Sequence, residues 1–143
     1  MAAATPTRGL LIVFEGLDRS GKSTQARRLV DFLNKKHSGQ GDTKHTAVLQ
    51  AFPDRSSPIG KLIDQYLKKE IDLDEHSLHL MFSADRFLKN QTIRDNIANG
   101  IDVICDRYCY SGVAYSLAKE VEIWAEREIA GGRAFGALAF LLI

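Results

Sequence analysis

Gly16-Leu17-Asp18-Arg19-Ser20-Gly21-Lys22-Ser23 spells G-x-x-x-x-G-K-S, and it follows the apolar run Leu10-Leu11-Ile12-Val13-Phe14 with only Glu15 between them. A buried strand that enters a glycine-rich loop and then a helix is the setting in which this motif holds phosphate. The glycines let successive N–H groups turn inward toward one anion. The helix that follows adds the positive end of its dipole. Lys22 is placed to reach the outer phosphates, and the Ser23 hydroxyl is placed to ligate Mg²⁺. A nucleoside triphosphate is therefore the expected ligand, with Gly16, Leu17, Asp18, Arg19, Ser20, Gly21, Lys22, Ser23 and Thr24 as its binding residues.

Outward from the loop, strand and helix alternate. Apolar residues Ala26, Leu29, Val30 and Leu33 recur at helical spacing after the loop, with Arg27, Arg28 and Asp31 opposite. The reading gives strands at Gly9–Phe14, Thr46–Phe52 and Ile101–Cys105. It gives helices from Pro58 through Leu67, from Asp72–Glu75 to Asn99 with a stop at Gly100, and from about Ser111 to Glu128. Such alternation predicts an α/β fold, a parallel sheet with helices on both faces. Ligands then bind beyond the carboxyl ends of the strands. Three segments converge there, Gly16–Ser23, Phe52–Arg55 and Asp106–Tyr108, and each carries an arginine. Arg19, Arg55 and Arg107 exceed what one triphosphate requires, so a second phosphorylated substrate is expected.

Composition narrows the class further. The chain has 143 residues, 45% of them hydrophobic, and a net charge of +1. That is enough for one core, and it offers no basic stripe for nucleic acid. Cys105 and Cys109 are the only cysteines, which argues against a disulfide framework and for a reducing compartment. No run approaches transmembrane length. The cytoplasm is the expected location, and nuclear or mitochondrial pools are compatible with it. Residues 1–8 read as a disordered tail without a secretory signal. The four histidines, in polar loop or helix contexts, are assigned no catalytic role.

Four stretches together resemble the thymidylate kinases: Phe14–Thr24 (FEGLDRSGKST), Phe52–Ser56 (FPDRS), Leu80–Arg86 (LMFSADR) and Asp106–Tyr115 (DRYCYSGVAY). The resemblance implies a P-loop kinase fold over residues 9–119 and transfer of phosphate from ATP to dTMP, with Mg²⁺ as cofactor. Lys22, Arg19 and Arg107 are the implied catalytic residues, Arg19 reaching the transferred phosphate. The implied acceptor contacts are Asp18 at the sugar 3′-hydroxyl, Arg55 and Arg107 at the phosphate, Phe82 and Arg86 at the base and Tyr115 against the deoxyribose, with Phe52, Ser111 and Gly112 as further acceptor-binding residues. Phe82 and Arg86 lie four apart and so share a helix face. Ser23 and Asp106 are the implied metal residues. Tyr108 and Ser111 are read as supports for the Asp-Arg pair, and no role emerges for Glu15. The family resembled is homodimeric.

After Lys119 the resemblance is expected to fail, leaving residues 120–143 as a divergent tail and the fold incomplete at its C-terminal end. Leu138–Ile143 stands where the family's fourth strand begins and is available to pair with the sheet. An impaired or non-catalytic nucleotide-binding fragment is the alternative reading, with poor turnover expected without a lid.

Overall fold

The computed structural model describes residues 8–39, 46–118 and 138–142. Its elements in chain order are β1 (Leu11–Glu15), α1 (Lys22–Gly39), β2 (Ala47–Ala51), α2 (Pro58–Leu67), α3 (Glu75–Ala98), β3 (Asp102–Asp106), α4 (Cys109–Ala118) and β4 (Leu138–Leu142). The strands form one sheet in the order β2-β3-β1-β4, with every pairing parallel. Leu11 pairs with Val103 on one side of β1 and with Leu138 on the other.

Alternation along the strands divides the core in two. Leu11, Val13, Val103 and Cys105 face α3, where Ile93 and Ile97 close over them beside Tyr108 and Cys109. Phe14 and Ile104 face the opposite way, onto Ala26, with Leu29, Val30 and Leu33 of α1 packed alongside. Both faces of the central strands are thus covered, as a parallel sheet requires. Each large aliphatic side chain so buried contributes about 1.5–3 kcal/mol relative to exposure. Asn34 adds a polar tie between α1 and β2. Its amide donates to the Ala47 carbonyl at 3.1 Å and its oxygen accepts the Ala47 N–H at 2.7 Å.

Helix limits follow their capping residues. Ser57 accepts the Gly60 N–H at 2.9 Å, with Pro58 in the first turn of α2. Asp74 caps α3 through the Ser77 N–H at 2.9 Å. Gly100, at φ 79°, supplies the left-handed residue just past the α3 C-cap.

The strands lie one or two residues from where sequence placed them, for reasons of pairing. Gly9 donates to the Ile97 carbonyl and Leu10 to the Asp102 carboxylate, so neither N–H joins the ladder and β1 begins at Leu11. Ile101 donates back to Asn96 at the end of α3, which delays β3 to Asp102. β2 is shorter at both ends than Thr46–Phe52. α4 starts at Cys109 rather than near Ser111, and its expected continuation to Glu128 lies outside the described residues, as does the tail before Leu138. Leu138–Leu142 pairs with β1, as its apolar sequence allows. The expected 1–8 tail is described only at Arg8.

The strand order fixes where a ligand can enter. The connection leaving β1 runs to β2 on one side, while the one leaving β3 runs to β4 on the other. Connections that diverge in this way open a crevice between the carboxyl ends of β1 and β3. The glycine-rich loop and Asp106-Arg107 occupy that edge.

Candidate active site

A cleft of about 520 Å³ opens at this sheet edge. That is within the ~300–1,000 Å³ usual for small-molecule sites. Asp18, Lys22 and Ser23 line one part, and Asp106 and Arg107 follow from β3. Phe52 and Arg55 come from the segment after β2, and Phe82 and Arg86 from α3. Ser111, Gly112 and Tyr115 close the wall from α4. One cleft therefore gathers three phosphate-loop residues, Asp18, Lys22 and Ser23, with every residue expected at an acceptor.

The loop is held in a strained shape. Gly21 has φ 89° and open space where a Cβ would be, while Arg19 adopts φ 64° with a side chain. Arg19 is exposed and does not line the cleft, so two of the three arginines expected together meet there. Gly16, Leu17, Ser20, Gly21 and Thr24 likewise contribute no lining. Lys22 is buried, and its ammonium donates to the Leu17 carbonyl at 3.1 Å and lies 3.8 Å from Asp18.

Arg107 also has a left-handed backbone, φ 67°, which turns its side chain back across the strand ends. Nη2 donates to Asp18 at 2.7 Å, and Nη1 donates to the Ser111 hydroxyl at 2.8 Å. Its guanidinium lies 5.9 Å from the centre of the Tyr115 ring. The Asp18 carboxylate thus has two cationic neighbours within the chain. It is the counter-ion that bridges the loop lysine and Arg107. Arg55 is more loosely held: its Nε pairs with Asp64 at 2.6 Å, and its side chain is 60% exposed.

Arg86, one turn along α3 from Phe82, is buried to 3% exposure. Its Nη2 is 3.4 Å from Ser83 Oγ. Burial works against its charge, and Cys109, Tyr108, Asp85 and Glu15 act in the opposite direction. Asp106 and Ser23 present oxygen donors to the same cleft. A hard cation that keeps most of its water shell and binds through substrate phosphates suits such a donor set, so the residues fit Mg²⁺.

Three side chains that carry the site were not found from the sequence. Glu15 is buried, and its Oε1 accepts the N–H groups of Tyr108 and Ser111 at 3.0 and 3.1 Å while Oε2 accepts the Ser111 hydroxyl. Asp85, 1% exposed, accepts the Asp54 N–H at 2.8 Å and the Ser57 hydroxyl at 3.0 Å, anchoring the segment that carries Arg55. His79 is the third. It was expected in a polar setting, yet it is buried among the cleft residues with Nδ1 on Ser116. A carboxylate ending an apolar strand was the available signal for Glu15, since a buried charge must find donors.

The family model for thymidylate kinase matches residues 14–131 of the chain. The chain belongs to the thymidylate kinase family. The match runs past the expected boundary at residue 119. A thymidylate kinase of Caenorhabditis elegans is 73% identical over 132 residues, covering 90% of this chain and 61% of that protein. The human thymidylate kinase is 48% identical over 113 residues, covering 79% of this chain and 50% of that protein. This chain thus spans between half and two thirds of the length of these two relatives. Among solved structures, the thymidylate kinase of Candida albicans superposes with a TM-score of 0.68 at 46% identity, over 83% of this chain and 49% of that one. The thymidylate kinase of Ehrlichia chaffeensis gives 0.70 at 26% identity, over 95% and 75%. Both carry the P-loop kinase fold expected here. No described helix is long and apolar enough to cross a membrane.

Proposed function

We propose that this chain forms the nucleotide-binding core of a kinase that transfers the γ-phosphoryl group of ATP to dTMP. The carrying observation is the shared cleft, in which Lys22 and Ser23 meet Phe82, Arg86, Arg107 and Tyr115. Lys22 holds the donor phosphates and Arg107 the acceptor phosphate, so the reacting oxygens are brought into line by two fixed cations. The acceptor phosphate is already anionic at neutral pH and needs no general base. Arg19, exposed on the loop and outside the cleft lining, would swing inward to join the transferred group. Ser23 and Asp106 would hold Mg²⁺, which supplies charge neutralisation on the phosphate oxygens when bound. Phe82 offers an apolar face for the pyrimidine and Arg86 a placed donor for its carbonyl. Asp18 and Tyr115 border the sugar.

A coupled ADP-release assay with dTMP, dUMP, dCMP and AMP tests this, with calorimetric titration of ATP and dTMP alongside. The expected order is dTMP first, dUMP weaker and AMP poor. Faster use of AMP or dCMP than of dTMP overturns the acceptor assignment. Titration that shows ATP binding without turnover supports the nucleotide-binding fragment instead. The homodimer expected from the resemblance is part of the proposal, and exposed Leu80, Phe87 and Leu88 on α3 give it apolar surface. Sedimentation equilibrium measures it.

A further inference from the structure

Tyr108 directly precedes α4, and tyrosine is not among the residue types whose short side-chain oxygen caps a helix. Glu15, the last residue of β1, takes that role from the neighbouring strand. One oxygen accepts the N–H groups of Tyr108 and Ser111, and the other accepts the Ser111 hydroxyl. The hydroxyl proton is thereby committed to Glu15. A lone pair of Ser111 Oγ is left to accept Arg107 Nη1 at 2.8 Å, and Arg107 Nη2 continues to Asp18 at 2.7 Å. Arg107 thus donates both ways, through Nη1 and the Ser111 hydroxyl to Glu15 on one side and through Nη2 to Asp18 on the other.

We propose that Glu15 is a positioning residue for the acceptor phosphate, acting through Ser111 to set the direction in which Arg107 presents its guanidinium. The proposal rests on the reading that Arg107 holds that phosphate. Three observations carry it. Glu15 is 5% exposed and, unlike the equally buried Lys22 and Arg86, does not line the cleft. Its carboxylate is the shared acceptor for two backbone amides and one hydroxyl of the segment that bears Arg107. The backbone of Arg107 is left-handed, a conformation that persists only when neighbours over-determine it. Because Glu15 directly precedes the glycine-rich loop, the same carboxylate also fixes the donor side to the start of α4. The two phosphate-binding halves of the cleft are joined through one buried side chain.

Glu15→Gln separates the two duties of the carboxylate. The amide oxygen can still accept both backbone N–H groups, whereas the NH₂ group would donate to Ser111 Oγ and leave the hydroxyl proton without its acceptor. The expected result is a loss of dTMP affinity of about tenfold by calorimetry, with ATP affinity held within about twofold. Ser111→Ala should weaken dTMP binding as well, and Glu15→Gln added to it should cost little more, since the series is already cut. Hydrogen exchange at the Tyr108 and Ser111 amides should stay slow in Glu15→Gln, showing that α4 remains capped. The Arg107 Nε–H resonance, assigned with Arg107→Lys, should shift or broaden in Glu15→Gln without any nucleotide present. Additive losses in the double variant, or an unchanged Arg107 resonance, overturns the proposal. If the unmutated chain does not bind dTMP, the functional reading fails by itself, and the Arg107 resonance still decides the role of Glu15.

Discussion

His79 Nδ1 lies 2.7 Å from the Ser116 hydroxyl, and this contact joins α3 to α4 in the wall of the cleft that carries Phe82 and Arg86. The other ring nitrogen, Nε2, is buried with no partner among the described residues. Burial, then the charges of Arg86 and His76, lowers the pKa of His79 from 6.5. The folded state thus favours the neutral ring. Its contribution to stability is complete above the unfolded value near 6.5 and is lost as pH falls below it. Denaturant midpoints at about pH 8 and about pH 5 should differ in the wild-type chain. His79→Gln should reduce that difference. An equal difference in both proteins removes His79 as its source.

Lys22→Ala and Arg107→Ala should fail in different ways. In the proposed function Lys22 holds the donor phosphates and the transition state, so its loss should abolish turnover. Arg107→Ala should instead weaken dTMP binding by about 2–5 kcal/mol, the range for breaking a buried hydrogen-bonded charge pair. Calorimetry that finds unchanged dTMP affinity in Arg107→Ala takes that residue out of the acceptor site.

Gly60 sits in the first turn of α2, where an added Cβ would collide with the Asp54 carbonyl oxygen. The obstacle is backbone, so Gly60→Ala must displace the 54–57 turn or the helix. A loss of about 1–3 kcal/mol is expected despite the better helix propensity of alanine. Arg55 should shift with the turn and the dTMP KM should rise. A thermal midpoint equal to that of the wild type would show that the turn gives way freely.

The elements were largely legible because periodicity and punctuation agreed. Ala26, Leu29, Val30 and Leu33 marked the buried face of α1, and Pro58, Asp74 and Gly100 marked helix ends by backbone chemistry that acts locally. Strand limits were less legible because Leu10 spends its N–H on a side chain 92 residues away. The cleft residues were read from local motifs, and most of them do converge. Their supports were not legible: Glu15, Asp85 and His79 act through partners 28 to 96 residues distant. No spacing rule connects residues so far apart. Arg19 shows the converse, since a motif position does not say which way an exposed side chain points.

Arg19 and Arg107 both hold a backbone conformation that suits glycine better than arginine. For an L-residue this costs about 1–2 kcal/mol, and glycine at Arg19 would relieve it at an entropic cost of about 0.5–1 kcal/mol. Arg19→Gly should therefore leave the melting temperature unchanged or slightly higher, while phosphoryl transfer falls by about a thousandfold or more. Melting curves and single-turnover rates on the same preparation measure both, and a clear drop in melting temperature would show that the side chain of Arg19 contributes to folding. A library of variants sorted for thermal tolerance would accept the substitution and discard the chemistry with it. At Arg19, robustness and usefulness to the cell are selected by opposite residues.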